Sequence, residues 1–393
     1  MKPRRIFAGA LGVMALASVT VFGATGSAHV AKVAKAPCKA NLALEAPLTG
    51  PDAQLGQEQL VFAELAVAND NKANGTKIIM AQDDTQLVPS IATTKTEAII
   101  SSNAVATIGP AGSQEVAAVG PLFAKAGMAF VSGSSTNSLV TTDGANPTFL
   151  RVVAPDSVQG PQDANYIIKV LKPKSVLIVD DDEVYSTGLV AVIAPLLQAA
   201  GITVNHQTYN GTDTGATLTN DLTSLVTSQL TAADTVTILP WQTAANAQQF
   251  ADIVKQQGKT TTIFGTDGTD SPSQFFAPGS YVSNFGPDIS TSKSALDKSI
   301  VKGVKKFGPY NTFGLPTYEA ADVEMKAIAA VCKAGKTPSR SNVLAAIRKT
   351  NIPANANPLG IPIKFKADGD LTHAVFYLFK INAKGAYIQI PSS

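Results

Sequence analysis

Two loops in this chain could hold the two ends of a zwitterion. Ser113 and Gln114 follow the run IGPAG, and Ser134, Ser135 and Thr136 follow VSG. If Ser113 and Gln114 open a helix, the free backbone N–H groups there favour an anion such as a carboxylate. The hydroxyls and exposed carbonyls at 134–136 are partners for a donor such as an ammonium. The plainer reading is two Ser-capped helix starts.

Signals for covalent or metal chemistry are poor. Asp213-Thr214-Gly215-Ala216 matches an aspartic-protease tetrapeptide, but that chemistry needs two such Asp residues and the chain has one copy. It reads better as a turn before a helix. Asp180-Asp181-Asp182-Glu183 could gather Mg²⁺ at a strand end, although a solvated acidic loop explains it as well. His29, His206 and His373 lie far apart and have no metal-ligand spacing. The chain contains no G-x-S-x-G elbow, P-loop or G-x-G-x-x-G run. The expectation is a protein without enzymatic activity or cofactor.

The two loops need elements to aim them. Val105–Ile108 and Met128–Val131 are short apolar runs of strand length, and Val116, Val119, Leu122 and Phe123 recur between them at a helical period. Strand, helix and strand in a parallel sheet put both loops at the carboxyl edge, where ligands bind. The same alternation fills the chain on both sides. Upstream lie a first strand at Cys38–Ala46, a helix ending at Asn74-Gly75, a strand at Ile78–Ala81 and a helix at Ile91–Ile100. A second series starts after Pro155-Asp156. Its strands Ser175–Val179, Ile202–Val204, Thr235–Leu239 and Thr262–Phe264 alternate with helices at Leu189–Ala200, Leu218–Leu230 and Phe250–Gln257. Three helices (Ser294–Phe307, Thr317–Ala334, Ser339–Thr350) follow, and Ile361–Phe365 and the β-rich Ala374–Ile381 close the chain. Two βα series predict two lobes, each a parallel sheet covered on both faces.

Length and composition agree with that division. The chain has 393 residues, enough for two domains, and its 45% hydrophobic and 15% charged residues are those of a core-forming protein. Only 6% is aromatic and no Lys/Arg-rich block occurs, which argues against nucleic-acid binding. Lys2, Arg4 and Arg5 precede an apolar run and the small residues Gly26 and Ala28, the pattern of a secretory signal over 1–28. An uncleaved anchor helix is the alternative. Removing 1–28 takes three positive and no negative charges from a net +2, leaving −1. The expected location is therefore outside the cytoplasm, secreted or in the cell envelope. Cys38 and Cys332 are the two cysteines. In an exported chain an even count suggests one disulfide, with two buried thiols as the alternative.

Several runs, in this order and spacing, resemble one family. They are APLTGPDAQLGQE at 46–58, IGPAGS at 108–113, VSGSSTN at 131–137, FLRVVAPDSVQG at 149–160, VDDDEVYSTGL at 179–189 and FGTDG at 264–268. Across nearly the whole mature chain the sequence resembles the type 1 periplasmic binding proteins, in particular the branched-chain amino-acid (Leu/Ile/Val) binding subunits of ABC transporters. The resemblance implies an α/β fold of two Rossmann-like lobes joined by a three-strand hinge. Lobe 1 would span 38–153 and 286–360, and lobe 2 would span 154–285 and 361–393. Crossings would fall near Val152–Asp156, Asn284–Asp288 and Pro358–Ile363. The first strand and the returning helix would share lobe 1, where a Cys38–Cys332 bridge would join them.

The resemblance also implies site roles. The loop with Ser113 and Gln114 would hold a ligand carboxylate. The Ser134 carbonyl, the Thr136 hydroxyl and Asp267 would hold its ammonium, with Ser135 in the same loop. Leu55, Tyr185 and Trp241 would surround the side chain, although core packing also explains both aromatics. This sequence departs from the Leu/Ile/Val proteins at Asp267, where they have Glu, at Leu55 and Trp241, where they have Tyr, and at SQEV, where they have a Ser-rich loop. The implied function is capture of a small amino-acid-like ligand by hinge closure and its delivery to a membrane permease, by a monomer that binds no nucleic acid. An amide, urea or aromatic-acid binder of the same family, or a ligand sensor for a membrane receptor, are the alternatives.

Overall fold

The computed structural model describes residues 38–231 and 235–392, and the expected export signal lies outside them. The first sheet is built from β1 (Lys39–Ala46), α1 (Ala53–Asn74), β2 (Lys77–Asp84), α2 (Pro89–Ser101), β3 (Ala104–Ile108), α3 (Ser113–Ala126), β4 (Ala129–Ser132) and β5 (Phe149–Arg151). Its five strands run parallel in the order β2-β1-β3-β4-β5. Helices cover both faces, so central strands must be apolar on both sides. AVATI of β3 and AFVS of β4 are buried at every position.

The chain then crosses into a second sheet. Its elements are α4 (Asp156–Tyr166), β6 (Ser175–Asp180), α5 (Val184–Ala199), β7 (Thr203–Thr208), α6 (Gly215–Gln229), β8 (Thr235–Leu239), α7 (Ala244–Gln256), β9 (Thr262–Gly265) and β10 (Tyr281–Asn284). Three helices follow: α8 (Ala295–Val304), α9 (Leu315–Lys333) and α10 (Arg340–Ile347). They return to the first lobe, where Ile300, Val323, Ile328 and Val343 pack with Leu42, Ile108 and Val131. The final pair, β11 (Tyr377–Ile381) and β12 (Tyr387–Ile390), adds antiparallel to β10. The second sheet thus reads β12-β11-β10-β9-β8-β6-β7.

Three segments cross between the lobes and meet in one apolar cluster. Val153 and Ala154 come from the first, Phe285 from the second and Phe376 from the third, packed with Leu55 and Phe313. The Phe285 ring lies 5.3 Å from Phe313 and 6.0 Å from Phe376. The third crossing falls later than Pro358–Ile363. Ile361, Ile363, Phe365 and Leu371 all pack with the first lobe's core, so the chain leaves that lobe after Leu371 and not at 361. The alternating run IPIKF looks like a strand, but it forms only isolated bridges, Ile352 to Ile363 and Phe365 to Leu371. Pro362 has no N–H for a ladder, and the apolar residues reach the core without one.

Cys38 and Cys332 form a disulfide, with Cα atoms 5.8 Å apart. It ties the start of β1 to the last turn of α9 within the first lobe. Cross-linking residues 294 apart in sequence restricts the unfolded chain strongly, and Cys332→Ser is expected to cost about 2–4 kcal/mol. Urea unfolding of both proteins, with the wild type left oxidised, checks this, and coincident curves would refute it.

Candidate functional site

The lobes meet over a small cavity with about 20 Å³ of open space. The first lobe lines it with Leu55, Leu87, Ala111, Ser113, Ser134 and Phe313, and the second with Tyr185, Gln242, Asp267 and Gly268. Side chains bridge the lobes around it. Gln114 Nε2 donates to Gln242 Oε1 at 2.8 Å, Thr243 Oγ1 to Asp52 Oδ1 at 2.7 Å, and Asn137 Nδ2 to the Val184 carbonyl at 2.7 Å. The two lobes are closed on one another.

The first-lobe side is built by the β3–α3 and β4 loops. α3 starts at Ser113, and Glu115 in its first turn accepts from the Gly112 N–H at 2.7 Å. Ser113 Oγ accepts from the Asn137 N–H at 3.1 Å and bonds Ser135 Oγ at 3.3 Å, joining the loops. Ser134 Oγ donates to the Ala111 carbonyl at 2.9 Å and accepts from Gln59 Nε2 at 2.8 Å. Gly133 lets this loop lie on α9, since a Cβ there would sit 2.7 Å from the Thr317 nitrogen. Behind the loop, buried Arg151 donates to the carbonyls of Ser135 at 3.2 Å and Asn137 at 2.8 Å.

The second-lobe side is built on the turn after β9. Asp267 Oδ1 accepts from the Tyr185 hydroxyl at 2.9 Å, and that hydroxyl bonds Thr266 Oγ1 at 2.7 Å and accepts from the Gly268 N–H at 3.3 Å. Gly268 touches the neighbouring strand-end loop; a Cβ there would sit 2.3 Å from the Trp241 carbonyl oxygen.

The arrangement is a closed two-lobed cleft, and the whole described chain carries it. The model of a family described as periplasmic binding protein matches residues 40–386. The chain belongs to the periplasmic binding protein family. Among similar proteins, a Leu/Ile/Val-binding protein BraC3 of Rhizobium johnstonii is 28% identical, over 90% of this chain and 95% of its own. An amino acid binding protein of Pseudomonas aeruginosa is 24% identical, over 97% and 98%. Of solved structures, LivJ from Streptococcus pneumoniae in complex with isoleucine superposes with a TM-score of 0.75 at 20% identity, over 90% of this chain and all of that one. The leucine binding protein LivK from Thermotoga maritima gives 0.77 at 19%, over 90% and 98%. These structures share the type 1 fold.

Of the residues expected at the binding protein's site, Leu55, Ser113, Ser134, Tyr185 and Asp267 line the cavity. Gln114, Ser135 and Thr136 are buried in the same loops beside it. Trp241 is not at the cavity. Its ring is fully buried in the second lobe's core against Tyr209 and Phe250, and its Nε1 donates to the Val179 carbonyl at 2.6 Å. The indole N–H finds a strand carbonyl only by turning inward, and the next residue, Gln242, faces the cleft instead. Gln242, Leu87 and Phe313 were not foreseen. Leu87 does carry a local mark, a left-handed φ of 63° in the loop after β2, a conformation that costs energy for a branched side chain.

The binding protein's cleft is rich in buried acid. Burial pushes Asp267 up to about 7 against the opposing Tyr185 hydrogen bond. Burial likewise pushes Asp156 up to about 7, although Arg151 opposes it. Asp163 is raised well above the carboxylate range by burial and by the neighbouring charge of Asp267, although its Ser283 bond opposes this. Thr136 lies against Asp156 and, with Arg151, opposes the rise. Arg151 is taken up by Asp370, two carbonyls and Thr141. The second-lobe end therefore suits a cation, and the neutral donors around Ser113 suit a carboxylate.

These shifts carry a sign. A carboxyl raised from 3.8 to about 7 keeps its proton in the folded chain while the unfolded chain has released it. Stability then falls as pH rises from about 4 to about 7. The ligand-free protein should show a higher urea midpoint near pH 5 than near pH 8, and equal midpoints would contradict the buried-acid account.

No group of three or more His, Cys, Asp or Glu side chains among the described residues is placed to hold a metal ion. The acidic loop is a hydrogen-bonded turn, in which Asp182 N–H donates to Asp180 Oδ1 and Glu183 N–H to Asp181 Oδ1. Asp213 lies in the turn before α6, bonded to Asn210.

Proposed function

We propose that this chain is the extracytoplasmic solute-binding subunit of an ABC importer and that it captures a small free amino acid, branched-chain or a relative, by closing its two lobes. One observation carries the reading. Asp267 and Tyr185 from the second lobe and Ser113 and Ser134 from the first line a single cavity, so an ammonium held by Asp267 and the 134–136 loop would meet both lobes. Neither lobe alone makes a complete site, and ligand would stabilise the closed arrangement by bonding both.

The chemistry of the cleft favours an ammonium-bearing ligand over an aromatic acid. Asp156, Asp163 and Asp267 are buried together, and a ligand that is only an anion would add a like charge. The names of the relatives, Leu/Ile/Val-binding and amino acid binding, point the same way. Among the described residues no helix is long and apolar enough to cross a membrane.

Native mass spectrometry of the protein purified without refolding tests the reading. The expected adduct is one amino acid per chain. An adduct lacking an amine would overturn the amino-acid assignment.

A further inference from the structure

Gln242 lines the cavity, and it is paired with a second carboxamide that lies beside the cavity. Gln114 comes from the first turn of α3 and Gln242 from the loop after β8, 128 residues apart. Both side chains are buried. They pair face to face across the cleft, Gln114 Nε2 donating to Gln242 Oε1 at 2.8 Å and Gln242 Nε2 donating back to Gln114 Oε1 at 3.3 Å. Two more amides sit on the first turns of α1, on either side of cavity-lining Leu55. Gln59 gives its Nε2 to Ser134, but its Oε1 has no partner among the described residues. Gln54 has no partner there for either side-chain atom.

We infer that the ligand's side chain ends in a planar group with a donor and an acceptor on one edge, a carboxamide or ureido group, recognised by Gln242 and Gln114. This rests on the amino-acid reading above and narrows it. A reciprocal pair of N–H···O=C bonds is reproduced only by a group that offers both partners side by side. A ureido group has such an edge on each side of its carbonyl and can pair both glutamines at once, and a carboxamide pairs one of them by its single edge and reaches the other with its remaining N–H. A branched aliphatic side chain in the same place parts them and leaves buried amides unpaired, which a polar site tolerates badly.

The surrounding charge excludes a side-chain carboxylate. Asp52 accepts from Thr243, the residue after Gln242, and Glu115 follows Gln114. Burial raises Glu115 and Glu183, and the nearby charge of Asp52 adds to both shifts. An acidic side chain would join three carboxyls with no nearby cation among their partners.

Isothermal titration with six free amino acids tests this: L-glutamine, L-asparagine, L-citrulline, L-leucine, L-isoleucine and L-glutamate. The tightest of the first three is expected to bind at least about tenfold more tightly than any of the last three. Gln242→Leu is expected to shrink that ratio below about threefold while leucine still binds. Leucine or isoleucine binding as tightly as the best amide, or glutamate doing so, would overturn the inference and leave the amino-acid reading standing. Binding of none of the six, with an amine-free adduct in the mass spectrum, would overturn both. If the variant does not fold, the wild-type ratios alone decide.

Discussion

Replacing Asp267 by Asn should weaken amino-acid binding by about 2–5 kcal/mol, the cost of removing one partner from a desolvated charge pair, and leave the folded protein no less stable. Asp267 is buried, and its carboxyl accepts from the Tyr185 hydroxyl at 2.9 Å, with Gln159 also bearing on it. Asparagine keeps the shape and can keep that bond through its carbonyl oxygen. It also removes a group that burial has pushed up to about 7, so the ligand-free protein loses a desolvation cost. A ligand ammonium would draw Asp267 into its charged form and bond it only when the lobes close. Stability and affinity therefore separate. Urea unfolding without ligand should give an equal or higher midpoint for the variant, and titration with the tightest-binding free amino acid should show the affinity loss. Equal affinities would remove Asp267 from the site. A large loss of stability would instead mark it as a cap of the turn Asp267–Thr269.

Arg151→Met should destabilise the protein by about 3–5 kcal/mol, the usual result of removing one partner of a buried ion pair. The guanidinium spends its donors on four different groups. Nε bonds Asp370 Oδ1 at 2.7 Å, Nη1 bonds the Ser135 and Asn137 carbonyls, and Nη2 bonds Thr141 Oγ1 at 2.9 Å. Methionine keeps the stem volume and leaves Asp370 charged, with two carbonyls unpartnered. Lysine should recover little, because a point charge cannot span a planar fork of acceptors. The loss should be smaller in Arg151→Met combined with Asp370→Asn, where no unpaired charge remains. Arg151 also holds the Ser135–Asn137 backbone that presents Thr136, and its charge bears on Asp156. A loss below about 1 kcal/mol would show the pair to be a surface-like contact.

The parts of this architecture that rest on local chemistry were legible from residues alone. The strand–helix–strand reading of 105–136 corresponds to β3, α3 and β4, because strands buried on both faces must be apolar runs and Ser113 marks a helix start. The even cysteine count suggested one disulfide, and the resemblance, which puts the first strand and the returning helix in one lobe, implied the Cys38–Cys332 pairing. What was not legible depends on direction or on distance in sequence. The resemblance placed Trp241 around the ligand, but a strand end does not say which way the next side chain turns. Here Pro240 is followed by a ring that turns into the core and an amide, Gln242, that turns out. Gln114 was legible as a loop residue, but not its partner, which closure alone brings near. Asp156 read as a turn residue after Pro155, and its burial against Thr136 arises only from packing of the crossing segment. The IPIKF run misled for the opposite reason: its local pattern is that of a strand, and tertiary contacts keep it in the first lobe.

The central claim is that the cleft between the lobes takes a free amino acid by both its charged ends. Titration of the ligand-free protein with the tightest-binding amino acid, and with its N-acetyl and methyl-ester derivatives, tests it most directly. The account predicts saturable one-to-one binding of the free amino acid, with binding of both derivatives lost, because acetylation removes the cation that Asp267 would hold and esterification removes the anion that the Ser113 loop would hold. Undiminished binding of either derivative would contradict it.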